Sequence, residues 1–224
     1  MYNKTKLFLV ALALSLGACS STSTETAGDA PLNKHSGFLS DYSQLKFVDA
    51  GDDSQLTRYI SKELKARNYT QVMFDPISYY PAPKTTDTVS KEVLGEISQY
   101  FNKTISTEIA KEMPVVNEAG EGTLRFKMAI TGVQILDKEL AVYQYVPIAF
   151  LINAAKGGLT DVEVHFQIEA EIVDSLTGEV MGSAVKSGVG ETLANETTAL
   201  TLESLKPLID KWAKVMQNTI KQNL

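Results

Sequence analysis

The only thiol in the chain, Cys19, stands directly behind an apolar run and the small residues Gly17 and Ala18. A lone cysteine has no partner for a disulfide within the chain. A second set of chemistry-bearing residues is Glu163, His165, Glu169 and Glu171, all on one side of an alternating stretch. Carboxylates and imidazole are metal-compatible types. Residues two apart on a strand are separated by about 7 Å, so a tight cation site would need ligands from a neighbouring strand. Arg125 and Lys127 offer a simpler account if their strand pairs with this one: a solvated or ion-paired face that needs no ligand. Gly188-Val189-Gly190 lacks the third glycine and the Lys-Ser/Thr of a phosphate loop, and strand-end glycines explain it. There is no GxSxG elbow and no paired-histidine zinc motif. The expectation is a protein that is not an enzyme, with no catalytic residues.

A third candidate is Val142 to Gly158, VYQYVPIAFLINAAKGG, almost free of charge. Pro147 can start a short helix there and Gly157 can end it. One reading is a buried helix or crossover on a sheet. The other is an apolar loop in which Tyr143, Tyr145, Pro147 and Phe150 bind an envelope protein partner, a lipid chain or the membrane surface. The run is too short to span a bilayer.

The start of the chain says where these groups operate. Lys4 and Lys6 precede an apolar run from Leu7 to Leu16. About ten apolar residues make a signal peptide, whereas a membrane span takes about twenty. Leu16-Gly17-Ala18-Cys19 resembles a bacterial lipobox. The resemblance implies that Cys19 is acylated, by palmitate among other chains, and that the leader is cut before it. Each buried methylene contributes about 0.8 kcal/mol and one chain holds only marginally; two or three chains make the anchor permanent. Ser20 follows where an aspartate would signal inner-membrane retention. By similarity with enteric lipoproteins the expected place is the outer membrane, facing the periplasm. No cofactor is expected beyond the covalent lipid on Cys19.

From Cys19 onward the chain has 19 basic and 27 acidic residues, a formal charge of −8. That balance argues against nucleic acid as a partner, since phosphate neutralisation needs clustered Lys and Arg. With the one cysteine acylated, no disulfide forms within the chain, and stability must come from packing. Ser20 to Lys34, SSTSTETAGDAPLNK, cannot build a core. It reads as a leash with a reach of about 20 Å, ending at a solvated His35. The domain organisation is therefore residues 1–18 as lipoprotein signal peptide, 19–35 as flexible tether and 36–224 as a single globular domain.

Within that domain the periodicities are clear. Val93, Ile97, Phe101, Ile105 and Ile109 recur every four residues, predicting a helix over 90–112. Ser90 is its N-cap, Val89 and Leu94 its hydrophobic staple, and Pro114 its end. Leu208, Trp212, Met216 and Ile220 make a second stripe over 205–224, capped by Ser204 with Pro207 in the first turn. Leu124–Leu136 and Val162–Ile172 alternate as half-buried strands. Asp174–Gly178 is a turn, and Glu179–Val189 returns as a hairpin partner. Gln71–Tyr80 reads as a strand that Pro76 confines to an edge. Leu56–Leu64 fits either helix or strand.

SGFLSDYSQLK (36–46), YTQVMFDPISYYP (69–81), TLRFKMAITGV (123–133), EAEIVDSLTGEVM (169–181) and LESLKPLIDKWA (202–213) together resemble the Gram-negative lipoproteins grouped as domain of unknown function 3313. The similarity runs over nearly all of residues 36–224. It implies no activity and no catalytic residues, and it favours extended structure for Leu56–Leu64. The expected fold is α/β of the α+β type: a mainly antiparallel sheet covered on one face by two amphipathic helices. The expected role is a membrane-anchored periplasmic lipoprotein acting as a non-catalytic binding or envelope-accessory domain. The alternatives are a small-ligand or lipid-binding module with a pocket near residues 142–158, and an envelope-polymer hydrolase. The sequence sets no oligomeric state.

Overall fold

Alternation of apolar residues decides which way each long strand faces. The computed structural model describes residues 35–50, 54–137, 160–195 and 197–224, all within the unit Leu32–Leu224. Strands β1 (Lys46–Asp49), β2 (Gln55–Ile60), β3 (Gln71–Phe74), β4 (Ser78–Tyr79), β5 (Thr123–Asp137), β6 (Thr160–Asp174) and β7 (Val180–Asn195) form one sheet. Its order is β1-β2-β7-β6-β5-β3, with β4 also on the outer side of β5. Every pairing is antiparallel except those of β3 and β4 with β5. These two short strands flank Pro76 at an edge, as a residue without an amide donor requires. Leu56–Leu64 resolves as strand β2 followed by the short helix α1 (Glu63–Ala66), which buries Leu64.

In β6, Val162, Val164, Phe166, Ile168 and Ala170 are all buried on one face. In β5 the apolar positions change parity, from Leu124, Phe126, Met128 and Ile130 to Val133 and Ile135. A strand can keep such a series on one face only by inserting a residue. The pairing with β6 shifts between Ile130 and Gly132, where that insertion must lie.

Helix α2 (Lys91–Ile109) begins at Ser90, whose Oγ accepts the amide of Val93 at 3.2 Å. It buries Val93, Ile97, Phe101, Ile105 and Ile109. It closes at Ala110, so Pro114 lies beyond the helix, where its carbonyl accepts the amide of Val72. Helix α3 (Lys206–Asn223) buries Ile209, Trp212, Ala213 and Ile220 and has its proline in the first turn. Its N-cap is Leu205, with no side-chain hydrogen bond. Ser204 therefore does not cap it; its carbonyl accepts the amide of Glu191 on β7 instead. Phe166 touches both helices, with ring centroids 6.1 Å from Phe101 and 5.6 Å from Trp212. The helices are also joined directly, Tyr100 donating to Asp210 Oδ1 at 2.6 Å. The β6–β7 turn contains Gly178 at φ +74°, the left-handed conformation expected of it.

Gly188 and Gly190 are not strand-end residues; they lie inside β7. A Cβ on Gly190 would stand 2.6 Å from the carbonyl oxygen of Ser204, and one on Gly188 3.0 Å from Trp212. Their role is close approach: the start of α3 presses onto the strand where side chains are missing.

Candidate functional site: a covered carboxylate pair and an apolar cavity

The polar side of β6 is not a solvated face. Glu169 is 0% exposed, Glu171 6% and His165 8%. Buried carboxylates need donors, and the segment 35–45 supplies most of them. Glu169 Oε1 accepts the amide of Ser36 at 3.3 Å, and Oε2 accepts the hydroxyl of Tyr42 at 2.5 Å. Glu171 Oε1 accepts the amide of Ser40 at 3.0 Å and also its hydroxyl. Tyr42 Oη in turn accepts the amides of Gly37 and Leu39 at 3.0 and 3.1 Å. Its phenol pKa is raised, first by burial and then by its hydrogen bond to Glu169. His35 is exposed, as expected of a solvated residue at the end of the leash, and its ring stacks on that of Tyr42 with centroids 4.0 Å apart. The segment acts as a strap laid across the sheet.

The cross-strand ion pair anticipated from the sequence is half present. Lys127 faces Glu171 in register and approaches it at 3.6 Å. Arg125 goes elsewhere, forming a two-pronged pair with Asp75 at 2.8 and 2.9 Å. Burial lowers the pKa of His165, which lies 3.8 Å from Glu163. Among the described residues no group of three or more His, Cys, Asp or Glu side chains is placed to hold a metal.

On the opposite face lies a cavity of about 110 Å³. Its floor follows from residue size. Gly182 and Ala184 on β7 pair with Ile172 and Ala170 on β6, and with Ile60 and Arg58 on β2. Gly182, Ala184 and Ala170 leave a trough where neighbouring positions carry large side chains. Trp212, Met216 and Ile220 of α3 line it from the helix side. Half-buried Arg58 reaches across to the helix, donating to Thr219 Oγ1 at 3.4 Å. Lys186 Nζ sits 5.5 Å from the centroid of the Trp212 ring. The lining is otherwise almost wholly apolar, with no Asp or Glu side chain among the described residues.

Cys19 and the proposed binding residues Tyr143, Tyr145, Pro147 and Phe150 lie outside the described residues. Sequence reasoning misses both the strap and the trough. The signal for the first is a row of carboxylates on a central strand, which must find donors. The signal for the second is small residues at inward-facing strand positions. No helix among the described residues is long and apolar enough to cross a membrane.

Comparison with known proteins matches residues 34–216 to a family described as "Protein of unknown function (DUF3313)". A curated relative, "Uncharacterized lipoprotein YdcL" of Escherichia coli K12, is 32% identical over 202 residues, covering 89% of this chain and 88% of that one. Among solved structures, a PelC dodecamer from Paraburkholderia phytofirmans aligns with a TM-score of 0.39 and 12% identity, over 73% of this chain and 97% of that one. A DUF330-family protein from Xanthomonas campestris aligns at 0.38 and 8% identity, over 69% and 87%.

Proposed function

This chain belongs to the DUF3313 family, and from that premise we propose that it is a lipoprotein held through Cys19 in the outer membrane, where it serves as a non-catalytic binding domain facing the periplasm. The lipobox-like Leu16-Gly17-Ala18-Cys19 and a curated relative named as a lipoprotein support the anchor. On this reading α2 and α3 cover the apolar face of the sheet and the tether leaves from the polar side.

The observation that carries the non-catalytic reading is the state of Glu169 and Glu171. A hydrolase needs a carboxylate pair open to substrate, one of them able to hold or take a proton. Here the pair is closed off by Ser36, Ser40 and Tyr42, which occupy the acceptor positions a substrate would use. The arrangement suits a latch that fixes the chain emerging from the tether.

Radiolabelled palmitate and membrane fractionation test the anchor. The wild-type protein takes up label and sediments with the outer membrane; Cys19→Ala takes up none and leaves that fraction. Equal labelling of the variant, or wild-type protein in the inner membrane, defeats the assignment.

A further inference from the structure

We propose that the cavity between α3 and the trough of β2, β7 and β6 binds the hydrocarbon end of a single-chain fatty carboxylate, with Arg58 holding the carboxylate at its rim. The inference goes beyond the anchoring role and stands if that role fails.

Native interiors seldom leave voids larger than a water molecule. This chain leaves a partly open apolar trough of about 110 Å³ under a helix, the same order of volume as the ~150 Å³ apolar cavity that admits benzene. The void has a definite origin. Gly182, Ala184 and Ala170 adjoin one another on the sheet, so one larger side chain at Ala184 or Ala170 would fill the gap, whereas a Cβ on Gly182 would stand 3.2 Å from the Tyr59 carbonyl oxygen. At the other end of the same strand, Gly188 and Gly190 are closed down tightly by α3. The helix thus packs at its start and roofs a space further along.

The charges fit an anion. Arg58 and Lys186 line the cavity and no Asp or Glu side chain does, among the described residues. The Arg58 guanidinium bonds to a hydroxyl, Thr219 Oγ1, at a long 3.4 Å, which leaves its fork able to take a carboxylate in two-pronged fashion. An apolar interior with a cationic rim recognises an amphiphile, tail inward and head at the edge.

The chain contains one tryptophan, Trp212, and it lines the cavity. Its fluorescence therefore reports occupancy without a label. The mature lipoprotein, exchanged from detergent into amphipol, is titrated with 11-bromoundecanoic acid and with 11-bromoundecanol. The acid quenches Trp212 saturably, and decanoate reverses the effect. In competition, each methylene added between hexanoate and decanoate tightens binding about four-fold until the cavity is full. Arg58→Gln weakens the acid about ten-fold and leaves the alcohol unchanged. Ala184→Leu fills the trough and abolishes saturable quenching while keeping the melting temperature; if that variant unfolds, Ala170→Val takes its place.

Absent or non-saturable quenching, or equal quenching in the filled variant, overturns the site. Equal affinity for acid and alcohol overturns the role of Arg58. Displacement by decyl phosphate at lower concentration than by decanoate overturns the carboxylate in favour of a phosphate ester.

Discussion

Tyr42 and Glu169 lie 127 positions apart in the chain and share a hydrogen bond of 2.5 Å between the phenol and a carboxylate with no solvent exposure. This contact joins the segment before the first strand to the middle of β6. The same phenol oxygen gathers two amides of its own segment, so one side chain both folds the strap and fastens it.

Tyr42→Phe removes that donor and leaves Glu169 with the Ser36 amide and a distant Gln167 at 3.5 Å. A hydrogen bond to a buried charge contributes about 2 kcal/mol. A domain of this size should lose about 6 °C in melting temperature. Limited proteolysis should cut between residues 35 and 45 in the variant well before it cuts the wild type. Unchanged stability and cleavage would mean that the strap is held by other contacts.

Gly190→Ala and Gly95→Ala should act in opposite directions. At Gly190 the new methyl meets the Ser204 carbonyl at 2.6 Å and Leu205 at 2.9 Å, so the start of α3 must move. Overpacking of this kind costs about 2 kcal/mol. Gly95 lies within α2 and a methyl there meets nothing within 4 Å. The gain in helix propensity is about 0.8 kcal/mol. Urea titration of both variants gives the comparison, read from the midpoints at constant slope.

Phe166→Ala should be among the most damaging single changes, because that ring contacts α2 and α3 at once. Truncating a fully buried phenylalanine costs about 4 kcal/mol. The near-ultraviolet circular dichroism of Trp212 should weaken as well, since its stacking partner is gone.

His165 gives the fold a pH dependence of definite sign. Burial lowers its pKa below the ordinary 6.5, so the folded state prefers the neutral ring. Below about pH 6.5 the unfolded chain binds the proton more readily, and stability must then fall as pH falls. The contribution is complete above the unfolded pKa and is lost on descending toward the folded one. Denaturant midpoints between pH 7.5 and 5.5 should decline for the wild type and decline less for His165→Gln. A slope of the same size in the variant would assign the effect to other groups.

Features that depend on near neighbours along the chain are legible in the amino-acid sequence. The Ser90 cap, the four-residue spacing of α2, the alternation in β6 and the Asp174–Gly178 turn follow local rules, and all four hold. Ser204 fails as a cap because α3 starts one residue later, with Leu205 as its N-cap, and the Ser204 hydroxyl pairs with Thr201 Oγ1, while its carbonyl is tied to Glu191 of β7. The carboxylate face departs from the solvated expectation for a similar reason. Alternation says which residues share a face, but nothing local says that residues 36–42 fold back over it. The cavity is illegible because it depends on the height of a helix above a sheet, which Gly188 and Gly190 fix from a distance.

Tension arriving along the backbone from the amino-terminal side meets Ser36, Ser40 and Tyr42 before it reaches any strand of the sheet. Those bonds would break one after another, like a seam, while β2, β7, β6 and β5 stay in register. The strap is thus the first part of the described fold to yield to a pull from that side, and the central sheet behind it is the last.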